Sequence, residues 1–132
     1  MYKRLLSANN FHGSKQYNQS YEIYESILAD QENLLANIYA LWGIIALNID
    51  RNNPKYDRGM AIVSLDVMER RIKGSNQFKL IYEAKLLKYS AELMIKADLS
   101  KDNVIEENKV LIAEITQRDE AIKRLRDLSL GQ

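Results

Sequence analysis

From Asn33 to Ile49 the chain reads NLLANIYALWGIIALNI, with no charged residue. Leu34, Leu35, Ile38, Leu41, Trp42, Ile45 and Ala46 fall on more than one side of a helix. A helix apolar nearly all round has to be covered from several directions. The stretch is shorter than the roughly 20 apolar residues a membrane span needs, and Asn33, Asn37 and Asn48 make it too polar. It therefore predicts a central helix, from about Glu32 to Ile49, with other helices stacked on it.

The flanking sequence reads the same way. One proline and five glycines in 132 residues favour long helices over strands and turns. Helical spacing predicts a first helix over Tyr2–Phe11, interrupted by Gly13 and Ser14. A second follows over Tyr17–Ala29, where Tyr17, Tyr21, Tyr24 and Leu28 define one face. Asn53 before Pro54 reads as an N-cap with proline at the first helical position, starting a fourth helix that runs to Ile72. Gly74 reads as its left-handed C-cap. Ser75 caps a fifth helix ending near Ala97, with Phe78, Ile81, Tyr82, Leu86, Tyr89 and Leu93 apolar. Ser100 caps a sixth, which Gly131 ends. No segment alternates with period two, so the expected fold is all-α: antiparallel hairpins over residues 1–98 and a long C-terminal helix over 99–132.

Several functional classes lose support at this stage. The absence of cysteine removes disulfides, thiolate nucleophiles and cysteine metal ligands together. A net charge of +1 offers no basic excess for nucleic acid. Arg70, Arg71 and Lys73 instead suit the negative end of a helix dipole. The opening Met1-Tyr-Lys-Arg-Leu-Leu leads into Ser7, Asn9 and Asn10, so no signal peptide is expected in it. His12 is the single histidine and lacks partners for a zinc or di-iron site. It also lacks the third member of a triad with Ser14. Glu22 and Glu25 lie one turn apart beside tyrosines and read as a solvated face. Asp50–Tyr56 lacks the spacing of a calcium loop. The expectation is a non-enzyme without cofactor or metal. Eight tyrosines suit half-buried seams, and most are expected in the core.

A period of 34 residues, one helix–turn–helix per repeat, organises the first half. Ala8 and Phe11, then Ser20, Tyr24 and Ile27, stand at the small and aromatic positions of one unit. Tyr39, Trp42 and Gly43, then Ala61, Leu65 and Met68, stand at those of a second, with a longer loop over Asn48–Tyr56. On these residues the chain resembles the tetratricopeptide-repeat family over Tyr2–Ile72, with the fifth helix a candidate third first-helix. The turn at Asn53-Pro54 and the Glu- and Asn-rich tail through Gly131 also look like small bacterial envelope lipoproteins of that type, although their lipidated cysteine is absent. The resemblance implies protein or peptide binding on the surface of the first helices: Leu5, Asn9 and His12 from one unit, Asn37, Ala40, Ile44 and Asn48 from the next. The residues alone allow Asn37 and Asn48 to satisfy local backbone instead. Location follows the resemblance to the envelope, or is cytoplasmic without it.

In the tail a heptad runs through Val104, Leu111 and Leu125 at d, with Arg118 the exception, and Asn108, Ile115, Ile122 and Ser129 at a. Isoleucine at a with leucine at d favours a parallel two-stranded coiled coil, hence a homodimer. Ile105 and Ile112 widen the stripe, which suits a capping helix folded on the protein's own hairpins. A parallel pair would also set Glu114 near Asp119 of its mate. The expected function is a non-catalytic scaffold or adaptor for a protein or peptide, in envelope assembly or signalling. The alternative is a structural coiled-coil subunit of a larger assembly.

Overall fold

The computed structural model describes residues 2–30, 33–76 and 78–130. Five helices follow in order: α1 (Tyr2–Gly13), α2 (Tyr17–Leu28), α3 (Leu34–Asn48), α4 (Arg58–Lys73) and α5 (Phe78–Leu130). The described residues contain no strand. The chain divides into two units, one ending at Lys96 and one beginning at Ala97. In the first, α1 packs on α2, α3 on α4 and α2 on α3, with a lighter contact between α1 and α3. This is a stack of helical hairpins.

α3 carries the stack because its two sides are buried in different clusters. Leu34, Ile38, Leu41 and Ile45 meet Ala61, Met68 and Ile72 of α4 and Ala84 and Ala91 of α5. Ala36, Ala40, Ile44 and Leu47 meet Ala8 of α1 and Tyr24 and Ile27 of α2. Each set recurs at three and four residues, so two stripes share one rod. Ala84 and Ala91, fully buried, let α5 approach closely. There Tyr39 Oη donates to Glu83 Oε1 at 2.5 Å and Trp42 Nε1 to Ser90 Oγ at 3.2 Å. The bond to Glu83, with burial, pushes the Tyr39 hydroxyl up to about 12. Lys88 reaches Glu69 of α4 at 3.4 Å.

Small residues set the spacing of the first hairpin. Ser20, fully buried, donates its hydroxyl to the Ala8 carbonyl at 2.7 Å. The far end of the Tyr24 ring closes on Gly43: a Cβ there would collide with it. α1 ends in a Schellman turn, with Gln16 N–H donating to Phe11 O at 2.8 Å and Lys15 N–H to His12 O at 3.0 Å. The left-handed residue of that turn is Lys15 (φ 61°), not Gly13.

Two boundaries and the geometry of one cap differ from the sequence reading. The expected fifth and sixth helices are one, because nothing between Ala97 and Asn103 is a breaker and a serine such as Ser100 can sit within a helix. α4 begins at Arg58, capped by Asp57, whose carboxylate accepts from Met60 N–H at 3.1 Å. Asn53 instead locks the preceding turn: its Nδ2 donates to Leu47 O at 2.8 Å and its Oδ1 accepts from Lys55 N–H at 3.0 Å. Gly74 ends α4 in right-handed geometry (φ −79°), donating its N–H to Arg70 O at 3.0 Å. α3 is capped by Asn33, whose side chain accepts from Ala36 N–H at 3.1 Å. The expected start at Glu32, the terminator Gly131 and the packing of the Phe78 side chain lie outside the described residues.

Gly43→Ala forces Tyr24 out of its seat and should destabilise the fold by about 1–3 kcal/mol in urea unfolding. Lys15→Gly relieves the left-handed side chain and should raise stability by about 1 kcal/mol, read as a higher melting temperature.

Candidate protein-binding cleft

The hairpin unit holds a cleft of about 520 Å³. One wall is α2, contributing Tyr17, Tyr21, Glu22 and Glu25. The floor is the end of α3, Leu47 and Asn48. The far wall is the α3–α4 loop and the start of α4, with Asn53, Lys55, Asp57 and Met60. The loop is held by its own amides. Besides the bonds of Asn53, Asp57 N–H donates to Asn48 O at 2.8 Å and Tyr56 N–H to Asn53 O at 2.9 Å. Asn53 is only 7% exposed, so this wall is a built turn.

A three-residue latch fixes the opposite wall. His12, at the end of α1, meets Asp50 Oδ2 through Nε2 at 2.8 Å, and both are half-buried. Asp50 Oδ1 accepts from Asn52 N–H at 2.9 Å. The His12 and Tyr17 rings lie 5.8 Å apart, tilted by 59°. Burial raises the Tyr17 hydroxyl above its ordinary range, and the Asp50 charge and its hydrogen bond to that carboxylate raise it further. Burial alone would raise the Asp50 carboxyl. Hydrogen bonds from His12, the Asn52 N–H and Tyr17 outweigh it and leave the group below its usual value. Tyr21 is likewise raised, first by burial and then by the charge and hydrogen bond of Glu25. The wall thus presents two half-buried tyrosines anchored through carboxylates, with Glu22 and Glu25 exposed at the rim.

The residues expected to form one binding surface are divided. Asn9 is exposed on α1. His12 belongs to the latch. Ala40 and Ile44 are packed against α1 and α2. Asn37 is fully buried and donates through Nδ2 to Asp30 O at 2.6 Å and Asn33 O at 2.7 Å, tying down the turn before α3. Its Oδ1 is buried without a hydrogen-bond partner. Leu5 packs against the cluster of Ala8, Tyr24 and Ile27, and Asn48 alone of the seven lines the cleft. Tyr17, Tyr21, Glu22 and Glu25 were not in the expected set. The signal for them was the tyrosine run on α2, of which only Tyr24 is core.

In the second unit every residue from Asn103 to Leu130 is exposed. Val104, Leu111, Ile115, Ile122 and Leu125 are each more than half exposed, with Asn108 on the same side. Among the described residues no group of three or more His, Cys, Asp or Glu could hold a metal ion, and no helix is long and apolar enough to cross a membrane. Ser14 donates its hydroxyl to Asn10 O at 3.0 Å. Compared with protein-family models, with curated proteins and with solved structures, the chain matches none.

The Asp50 carboxyl holds a proton more weakly in the folded chain than in the unfolded one. Its contribution is therefore complete above the unfolded value of about 4 and is lost as pH falls through the folded value. Asp50→Asn should be less stable than the parent by about 1 kcal/mol at pH 7. In urea unfolding the two stability curves should converge as the pH falls below about 4.

Proposed function

We propose that this chain is a non-catalytic scaffold that seats a segment of a partner protein in the α2–α4 cleft. The carrying observation is the cleft itself: two anchored tyrosines on one wall, an amide-locked turn on the other. Its volume lies within the roughly 300–1,000 Å³ typical of ligand sites. Tyrosine offers broad contact area at small entropic cost, which is why it concentrates at interfaces. Glu22, Glu25 and Asp57 outnumber Lys55 around the opening. A segment carrying lysine or arginine among apolar residues is the complementary ligand.

The hairpins are read here as tetratricopeptide-like. Ser20 against Ala8 and Tyr24 against Gly43 support this, each pair meeting at positions where that repeat wants small and aromatic residues. In that family ligands sit on the first helices. Asn37, Ala40 and Ile44 of α3 are occupied in packing, so the proposed seat moves to the second helix of the first hairpin.

A second reading rests on the tail. A stripe of valine, leucine and isoleucine along an exposed helix has a partner as its ordinary explanation. Self-association through residues 97–130 would make the scaffold divalent.

Panning a library of displayed peptides on the full chain should enrich apolar segments with basic residues. Tyr21→Ala and Glu22→Lys should each weaken their binding at least tenfold by titration calorimetry. Binders indifferent to both changes, or no saturable binder, would remove the cleft from the proposal. For the tail, light scattering should give twice the chain mass, falling to one in Leu111→Asp/Ile115→Asp.

A further inference from the structure

We infer that the occupant of the exposed tail stripe is a second copy of the same helix running antiparallel, in one defined register. This rests on the self-association reading and goes beyond it by fixing direction and alignment.

Between Val104 and Leu125 the stripe has two polar interruptions, Asn108 and Arg118, both exposed. In a parallel pair each residue at a core position faces its own equivalent. Arg118 would meet Arg118, two guanidinium groups confined at an apolar seam. In an antiparallel pair a positions face d positions. The alignment that sets Leu111 against Ile115 of the second copy also sets Val104 against Ile122. It brings Asn108 opposite Arg118, at both ends by symmetry. The two interruptions then fall in the same layers, where the Asn108 carbonyl oxygen can accept from the guanidinium. Ile112, outside the narrow heptad seam yet 64% exposed, meets Ile112 of the second copy at the two-fold axis.

Charge points the same way. Residues 101–114 carry four acids against two bases, and residues 117–128 four bases against three acids. Antiparallel pairing lays the acidic half of one helix along the basic half of the other, with Glu107 next to Arg118 of the second copy. Opposed helix dipoles add to the preference. Parallel pairing superposes like halves.

The chain has no cysteine, so single cysteines report on neighbours without background. Val104→Cys and Ile122→Cys full-length chains are oxidised separately and as an equal mixture, with molar mass measured beforehand under reducing conditions. The expected result is a dimer in which the mixture forms a disulfide-linked pair at least tenfold faster than either variant alone. Leu111→Cys with Ile115→Cys, mixed in the same way, should repeat it. Self-linking of the single variants at the rate of the mixture means a parallel pair and overturns the inference while leaving self-association standing. A dimer in which neither mixture links has another register and also overturns it. A monomer at all concentrations overturns both the inference and the self-association reading.

Discussion

α3 buries both of its long sides at once, and the hairpin unit depends on that. A helix with one apolar stripe can lean on one neighbour; this one needs two sets. Leu34, Ile38, Leu41 and Ile45 require α4 and α5, while Ala36, Ala40, Ile44 and Leu47 require α1 and α2. Removing either pair would expose a row of aliphatic side chains, at roughly 25 cal/mol for each Å² returned to water. The order of the chain follows from this demand. A helix wanted on both sides belongs in the middle, with one hairpin partner before it in sequence and others after.

The cleft is a consequence of how that central rod ends. Small residues, Ser20 and Gly43, hold α2 tightly against α1 and α3, so α2 cannot slide across the C-terminal end of α3. The chain then leaves α3 through a turn organised by Asn53 before α4 begins at Arg58. The space left between α2 and this turn is the cleft. Its rigidity comes from the His12–Asp50–Tyr17 latch, which joins the end of α1, the start of α2 and the end of α3. The polar groups with the greatest geometric demands here are bound to protein, not aimed at a substrate.

The helices were legible in the sequence because periodic burial leaves a pattern along the chain. α3, the pairing of α1 with α2 and the small residues between them all follow from spacing. What failed to transfer were places where a local signal had two uses. Asn53 before Pro54 resembles a helix start, but the same amide can hold a turn, and a nearby carboxylate, Asp57, was available to cap instead. Ser100 can cap a helix or sit inside one, and without a glycine or proline beside it the helix continues. Asn37 and Asn48 share a type and a helix, yet one is consumed by backbone carbonyls and the other lines a cavity. The cleft itself was not legible. Whether Tyr17, Tyr21 and Tyr24 face the core or an opening depends on the neighbours of α2, and Tyr24 parts company with the other two only because Gly43 makes room for it.

The tail poses a different physical problem. An isolated helix in water draws little stability from its backbone, since nucleation is costly and propagation barely favourable. Most of the residues that would stabilise it by burial point into solvent here. A lone surface helix has no use for Leu111, Ile115 and Ile122 on one side; lysine or glutamate would serve as well. Under the proposed self-association these residues form one seam, and its two polar positions become complementary in only one direction of pairing. If the hairpin unit offers a seat for another protein and the tail brings two such seats together, binding of a repeated partner gains from effective concentration without any added contact. Such a device makes sense of a cleft of modest size joined to so long a helix.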